Sequence, residues 1–261
     1  MTRFISLSSG SSGNCYYIGN ESTAFLIDVG IGTRAIKKRL LEYDIPIESV
    51  SMILVTHDHF DHIKSVGTFA ERYHKPVFTT ETLHKALSRN FCTAGRLGGC
   101  IRIIQTGVEN DIEGIKVTPF EVPHDATQTL GYFIDFFGEK FTIMTDLGKV
   151  TDDAVKYARL ADHLIVESNY DVDMLITGNY PQALKERIMN GKGHLSNEQT
   201  SSLLRMAVHD TLRDVFLCHL SGNNNTPEAA RRKSEATLRA IGSKASLHCL
   251  PRSAASELFE Y

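Results

Sequence analysis

The residues best suited to chemistry form one short run, THDHFDH at residues 56–62. Its pattern, H-x-H-x-D-H, brings four potential metal ligands together within six residues. A metal site needs neutral imidazoles or carboxylates that converge from a rigid frame. The run follows the apolar residues 52–55 directly, so a strand end and a helix start are expected to supply that frame. A polar loop that is merely rich in histidine is the alternative, which further ligands elsewhere in the chain would disfavour.

Three more potential ligands each follow an apolar run that predicts a strand: His124, Asp146 and His219. Each of these residues alone is weak evidence for a metal site, because Asp146 could cap a helix and His219 could be a core histidine. In α/β enzymes, however, chemistry is placed at the carboxyl ends of strands. The combined donor set has five imidazoles, two carboxylates and no thiolate, which suits zinc, manganese or iron.

The elements that must position these residues alternate along the chain. Two β-rich halves, each followed by helices, predict an α/β protein with a four-layer αββα sandwich. No Pro/Ser-rich linker divides the chain, so a single domain over residues 1–261 is expected. Strands are predicted at residues 4–7, 16–19, 24–29, 52–55, 76–79, 102–105, 115–122, 131–136, 141–145, 163–166, 215–218 and 246–250. Helices are predicted around 36–41 and at 63–73, 152–160, 180–189, 197–208 and 227–241.

The composition excludes several classes of protein. With 28 Lys plus Arg against 31 Asp plus Glu, the net charge of −3 excludes a histone-like basic binder but leaves room for a local basic patch. A hydrophobic share of 42% and a charged share of 23% are typical of a globular chain. The five cysteines form no CxxC pair, and we expect neither a signal peptide nor a membrane span. A cytoplasmic enzyme is therefore predicted.

These motifs resemble those of the metallo-β-lactamase-fold hydrolases over nearly the full chain. The residues that carry the resemblance are LIDVG at 26–30, the HxHxDH run, His124, DLG at 146–148 and His219. Within that superfamily the chain is most similar to the YycJ (WalJ) family. That closer match rests on SGSSGN at 9–14, ESNYD at 167–171, GHLSN at 193–197, HLS at 219–221 and NNTP at 224–227.

The resemblance implies two divalent metal ions. The first would be held by His57, His59 and His124. The second would be held by Asp61, His62 and His219, and Asp146 would bridge the two. Asp28 would orient one ligand from behind, although a plain turn residue before Gly30 explains it equally well.

The implied reaction is hydrolysis. Two metal ions about 3.5–4 Å apart clamp the attacking and leaving oxygens and lower the pKa of a shared water towards ~7. Asp61 would orient that water while serving as a ligand. The antibiotic-hydrolysing branch is disfavoured because those secreted enzymes lack the bridging carboxylate. A glyoxalase-II-like thioesterase has the full ligand set and stays open.

Glu167 and His194 favour phosphate chemistry. The resemblance extends to ribonuclease Z and β-CASP nucleases, in which an acidic residue after a strand and a downstream histidine approach the scissile phosphate. Such a pair holds an imidazolium that stabilises charge on the phosphate and protonates the leaving oxygen. For His194 the alternative is a neighbour of a helix N-cap in a Gly-rich turn.

Candidate substrate contacts are weaker. Ser11, Ser12 and Asn14 can present amides and hydroxyls to a phosphate, or they form only a β-turn. Arg96 lies in the Gly-rich segment 88–100, a predicted lid, and is a candidate contact to backbone phosphates. Because the net charge is −3, nucleic-acid affinity must come from a local patch and the metals.

The sequence therefore predicts a dinuclear-metal phosphodiesterase acting on nucleic acid. The family implication is a 5′→3′ exonuclease on double-stranded DNA, with metal-activated hydroxide attacking phosphorus. The alternative is a small-molecule hydrolase with the same metal site, either a thioesterase or a cyclic-phosphate diesterase. A non-catalytic regulator that keeps the metals only for folding is a third hypothesis. The native metal and the oligomeric state are not determined by the sequence.

Overall fold

The computed structural model describes residues 1–261 and contains two seven-stranded mixed β-sheets flanked by helices. The sheets belong to two compact units of the chain. The first unit comprises Met1–Thr106, Ala126–Gln128 and Pro251–Tyr261, and the second comprises Gly107–Asp125 and Thr129–Leu250. None of the helices combines the length and the apolar composition that a membrane crossing requires.

The sheet of the first unit delivers the HxHxDH run at a strand end. Its order is β14-β1-β2-β3-β4-β5-β6, with antiparallel pairing from β14 to β3 and parallel pairing from β3 to β6. The strands are β1 (Arg3–Ser8), β2 (Cys15–Gly19), β3 (Ala24–Ile27), β4 (Val50–Leu54), β5 (Val77–Thr79), β6 (Ile101–Ile103) and β14 (Phe259–Glu260). The helices are α1 (Thr33–Leu41), α2 (Phe60–Ile63), α3 (Val66–Tyr73) and α4 (Glu81–Leu87).

The sheet of the second unit aligns three strand ends along one edge. Its order is β13-β12-β11-β10-β9-β8-β7, antiparallel from β7 to β10 and parallel from β10 to β13. The strands are β7 (Asn110–Ile112), β8 (Ile115–Glu121), β9 (Leu130–Phe136), β10 (Glu139–Met144), β11 (His163–Glu167), β12 (Asp214–Cys218) and β13 (Ser246–Cys249). The helices are α5 (Asp152–Ala158), α6 (Val172–Thr177), α7 (Gln182–Met189), α8 (Asn197–Ala207) and α9 (Pro227–Ala240). Strands β11 and β12 are buried throughout, as the apolar runs predict.

Every predicted strand and helix is present, and most ends shift by no more than one or two residues. The predicted helix 63–73 is interrupted at Ser65, whose N–H donates to Val29 O and whose Oγ donates to Ile31 O. The structure adds β7, β14, α4 and α6. The two added strands are only three and two residues long, so they carry no alternating pattern. The N-cap Thr80, whose side chain accepts from Leu83 N, was an available signal for α4.

The amino ends of the parallel strands in the second unit are tied by histidines for which the sequence offered no function. Nδ1 of buried His163 lies 2.9 Å from Asp214 Oδ2, and its Nε2 lies 3.2 Å from Glu139 Oε2. His248 Nε2 lies 3.2 Å from Asp214 Oδ1. Burial raises the pKa of Asp214, but hydrogen bonds from His163 and His248 outweigh it and hold that pKa well below its usual range. These two histidines therefore link the amino ends of the parallel strands, opposite to the carboxyl ends of β10, β11 and β12.

Gly30 allows three loops of the first unit to meet. Its N–H donates to Asn14 O at 2.8 Å, and the Asn14 N–H donates to Asp61 O at 2.8 Å. A Cβ on Gly30 would lie 1.6 Å from the Asp61 carbonyl oxygen. Only glycine permits this approach, so the LIDVG motif positions the HxHxDH run.

Replacing Gly30 with Ala is expected to lower the free energy of unfolding by about 3 kcal/mol, because the added Cβ must push the Asp61 backbone away. Gly32→Ala is the matched control, since nothing lies within 4 Å of its Cβ. Its expected change is within about 1 kcal/mol. Urea denaturation of the metal-free proteins gives both values, and equal stabilities would contradict the packing argument.

Candidate metal centre

The four potential ligands of the HxHxDH run cluster within the first unit. His57 and His62 are buried, whereas His59 and Asp61 are partly exposed. The His57 ring centroid lies 4.7 Å from that of His59 and 4.0 Å from that of His62. His62 Nε2 lies 3.6 Å from Asp61 Oδ2. The strand end and helix start therefore bring these side chains together.

Asp28 orients two of these histidines from behind. Its Oδ1 accepts from Thr56 N at 2.8 Å, and its Oδ2 accepts from Thr56 Oγ1 at 2.8 Å and from His62 Nδ1 at 2.7 Å. Because the Thr56 hydroxyl donates to Asp28, it accepts from His57 Nδ1 at 2.9 Å. Both rings thus carry their proton on Nδ1, and Nε2 is the nitrogen with a lone pair for a metal. Asp28 therefore contacts His62 directly, and its role of orienting a metal ligand stays a prediction.

Asn14 lies against the ligands, deep in the first unit. Its Nδ2 is 2.9 Å from His62 Nε2 and 3.4 Å from Asp61 Oδ2, and its Oδ1 accepts from Gly10 N at 2.9 Å. Asn14 is buried, whereas Ser11 and Ser12, in the turn before it, are exposed. Since an imidazole nitrogen has one lone pair, a metal at His62 Nε2 requires the Asn14 amide to turn away. Sequence reasoning missed this contact because it joins residues 48 positions apart.

A second cluster lies at the strand ends of the second unit. The potential ligand atoms of Asp146, Glu167, His194 and His219 all lie within 4.8 Å of one another. Asp146 comes two residues after β10, Glu167 ends β11 and His219 directly follows β12. His219 Nδ1 lies 3.1 Å from Asp146 Oδ1. The parallel register of these strands therefore explains the convergence.

Glu167 is the buried centre of this cluster. Its Oε1 accepts from His194 Nδ1 at 2.7 Å and from His219 Nδ1 at 3.0 Å. Its Oε2 accepts from the N–H groups of Leu147 at 3.0 Å and Leu195 at 2.9 Å. Burial raises the pKa of Glu167, but the charge and hydrogen bonds of the histidines outweigh it, so the pKa lies below its usual value. An ionised Glu167 thus holds both rings.

The charges of Glu167 and Asp146 also shift the pKa values of the neighbouring histidines. Burial lowers the pKa of His194, but the charge and hydrogen bond of Glu167 outweigh it and raise the pKa above its usual value. Burial likewise lowers the pKa of His219, and Asp146 and Glu167 raise it well above the usual value. In contrast, burial dominates at His124 and lowers its pKa, despite the charge of Asp146.

Two loops of the second unit present the remaining histidines. His124 Nδ1 donates to Gly193 O at 2.7 Å, and its Nε2 lies 3.6 Å from Asp146 Oδ1. His194 N donates to Ile188 O at 3.1 Å. The side chain of His194 is 23% exposed while that of Glu167 is fully buried. His194 is therefore the member of this pair that a substrate can reach.

Arg96 fastens its own loop. Its Nε and Nη2 donate to Glu71 Oε2 at 3.1 and 3.0 Å, its Nη2 donates to Thr68 Oγ1 at 3.2 Å, and its Nη1 donates to Cys92 O at 3.2 Å. These contacts tie the segment 88–100, the predicted lid, to α3. A phosphate contact by Arg96 stays a prediction, as do those by Ser11, Ser12 and Asn14.

The chain is similar in sequence to known proteins over most of its length. A family model described as a beta-lactamase superfamily domain matches residues 23–219. The chain is 34% identical over 242 residues to exodeoxyribonuclease YycJ of Bacillus anthracis, covering 92% of this chain and 90% of that protein. It is 32% identical over 225 residues to exodeoxyribonuclease WalJ of Streptococcus pneumoniae, covering 86% of this chain and 83% of that one.

A solved structure shows the same fold. The metallo-beta-lactamase fold protein YhfI from Bacillus subtilis superposes with a TM-score of 0.73 at 15% identity, covering all of both chains. The predicted fold class is therefore confirmed: two mixed sheets flanked by helices. A single domain over residues 1–261 stays a prediction.

Asp28→Asn should weaken metal binding by about 10- to 100-fold, because the amide removes one of the acceptors that hold Thr56 and His62. Competition with a chelator measures the affinity, and thermal melting of the metal-free protein measures folding. Asp44→Asn is the matched control, since Asp44 is exposed and has the same left-handed backbone conformation, with φ of 57° against 58° for Asp28. Equal affinities in the two variants would refute the orienting role.

Proposed function

The chain belongs to the metallo-β-lactamase superfamily and is a hydrolase of that fold, and we propose from this that it is a metal-dependent phosphodiesterase acting on nucleic acid. The observation that carries the proposal is the hydrogen bond of 2.7 Å between Glu167 and His194. It places a partly exposed histidine with a raised pKa beside the cluster of Asp146 and His219. Hydrolysis of a thioester depends less on such an acid than hydrolysis of a phosphodiester does.

We propose two divalent ions, zinc, manganese or iron, as the cofactors. The donor chemistry fits, because four of the five proposed imidazole ligands have Nδ1 at hydrogen-bond distance from an oxygen and the set contains no thiolate. When bound, such ions would polarise the phosphate and lower the pKa of a water towards ~7. The proposed ligands are His57, His59 and His124 for one ion, Asp61, His62 and His219 for the other, and Asp146 for both.

In the proposed reaction the attacking water loses a proton to the solvent, its oxygen bonds to phosphorus, and the P–O bond to the leaving oxygen breaks. His194, whose protonated form Glu167 favours by raising the pKa, donates a proton to that leaving oxygen. Glu167 acts as a positioning residue, since it is fully buried behind His194. Asp61 orients the attacking water and takes part in binding the ion.

The finer assignment is to DNA. Two relatives that this chain resembles over most of its length are named exodeoxyribonucleases. These names support DNA as the substrate, and on the family resemblance we further propose double-stranded DNA, the 5′→3′ direction of degradation and a cytoplasmic location.

Duplex DNA labelled at the 5′ end tests the activity. Protein loaded with Mn²⁺, Zn²⁺ or Fe²⁺ should release labelled mononucleotides or short oligonucleotides early in the reaction, whereas a 3′ label should be released late. His59→Ala, which removes a proposed ligand, is the inactive control. Absence of products above that control with all three metals would contradict the nuclease proposal, and turnover of S-lactoylglutathione instead would favour a thioesterase.

His194→Ala should lower kcat on DNA by about 10²- to 10⁴-fold with a smaller change in KM, as expected for loss of a general acid. Glu167→Gln should act in the same direction because it removes the charge that holds His194. His209→Ala, in the loop after α8, is the matched histidine control and should retain wild-type kinetics. A loss confined to KM would argue against proton donation by His194.

A further inference from the structure

We propose that Phe60 and Phe91 form an aromatic platform on which unpaired nucleobases stack, and that the neighbouring Lys85 and Arg89 bind phosphates of the same strand. The proposal rests on the proposed function and specifies its substrate: the strand is single-stranded where it meets the platform. All the residues involved belong to the first unit.

The two rings of the platform are stacked and open to solvent. Their centroids lie 5.7 Å apart with an angle of 17° between the planes. Phe60 is 48% exposed and Phe91 80%, the largest exposure of any phenylalanine among the exposed hydrophobic side chains. Lys64 Nζ lies 5.6 Å from the centre of the Phe60 ring. An open aromatic face beside a cation matches the requirements of a stacked base on a charged backbone.

Phe91 is exposed on a backbone that is held in place. Asn90 Nδ2 donates to Asp58 O at 3.2 Å, and Asn90 Oδ1 accepts from Cys92 N at 3.0 Å. Cys92 and Thr93, which follow Phe91, are buried. The exposure of the ring is therefore a fixed feature of the fold, which lowers the entropy lost when a base stacks on it.

The platform adjoins the proposed metal ligands. Phe60 is the first residue of α2 and lies between His59 and Asp61 in the chain. Asn90, next to Phe91, is bonded to Asp58 of the same HxHxDH run. A base on the platform would thus place its own nucleotide close to the residues proposed to bind the ions.

A groove of about 490 Å³ with two basic side chains includes Asn90, the residue before Phe91. It is lined by Lys85 and Arg89, together with Asp58, Asn90 and Thr127. The side chain of Arg89 is exposed and forms no hydrogen bond or ion pair within the protein. Lys85 pairs with Glu81 at 2.8 Å, but both are well exposed, and exposed pairs contribute little, so Lys85 can exchange its partner for a phosphate.

The one acid in the groove is already engaged. The carboxylate of Asp58 accepts from Thr127 N at 3.2 Å and from Thr127 Oγ1 at 2.7 Å. The Asp58 carboxylate therefore faces Thr127. The charges of the groove that remain available are those of Lys85 in α4 and Arg89 in the turn after α4. Stacking faces combined with phosphate-binding cations favour a single strand of nucleic acid over a purely apolar partner.

A tryptophan at the platform reports stacking directly. The chain contains no Trp, so Phe91→Trp introduces a unique fluorophore. Metal-loaded protein is titrated with a phosphorothioate dodecathymidylate, which resists cleavage, and with an abasic strand of equal length. Quenching is expected with the thymidylate only. Phe137→Trp is the matched control, since Phe137 is 57% exposed in the β9–β10 turn, and its fluorescence should not change.

Affinities measured by fluorescence anisotropy separate the two parts of the proposal. Phe91→Ala should weaken thymidylate binding about tenfold and leave binding of the abasic strand unchanged. Phe91→Trp should bind thymidylate as tightly as the wild-type protein does. Arg89→Ala should weaken binding of both strands and lower the slope of log K against log salt by about one. Circular dichroism of each variant verifies folding.

The outcomes distinguish this inference from the proposed function. If wild-type protein degrades DNA but Phe91→Ala binds thymidylate normally and Phe91→Trp is not quenched, the platform is refuted and the nuclease proposal stands. If no DNA is degraded, the nuclease proposal fails, while base-dependent quenching would still support the platform. Equal quenching by a blunt hairpin duplex would overturn the requirement for unpaired bases.

Discussion

A buried carboxylate is the constraint on which the rest of each unit depends. A carboxylate removed from water is strongly destabilising unless hydrogen-bond donors surround it. Asp28 meets this condition with the N–H and hydroxyl of Thr56 and the ring of His62. Glu167 meets it with two backbone N–H groups and two imidazoles. Because these histidines satisfy the carboxylates with Nδ1, their orientation follows from the stability of the fold itself.

Two of these buried residues, the carboxylate Asp28 and the imidazole His219, lie at strand ends in strained backbone conformations. Asp28 directly follows β3, His219 directly follows β12, and both have positive φ values, 58° and 52°. Such backbone conformations are unfavourable for residues other than glycine and persist where the surroundings determine them, often at functional sites. Here the neighbouring strands on both sides of β3 and β12, and the hydrogen bonds to Thr56 or Glu167, hold these backbone conformations in place.

The residues of the proposed sites differ in burial, so a substrate can reach only some of them. Glu167 is fully buried and hydrogen-bonded to the partly exposed His194, whereas the Phe91 side chain projects into solvent. The net charge of −3 is compatible with a nucleic-acid substrate because the charges that matter are local. Lys64, Lys85 and Arg89 lie beside the aromatic platform, and the proposed divalent ions would add positive charge among the histidines.

Features of the fold that depend on local periodicity and spacing could be predicted from the amino-acid sequence. Apolar runs predicted the strands, and the HxHxDH spacing predicted that four ligands would meet, because neighbours along a strand end and helix start are neighbours in space. Tertiary structure alone decided the rest. It set Asn14 against His62, engaged Arg96 with Glu71, and stacked Phe60 on Phe91. These pairs are 25 or more residues apart, so their contacts depend on how loops pack, which no local pattern records.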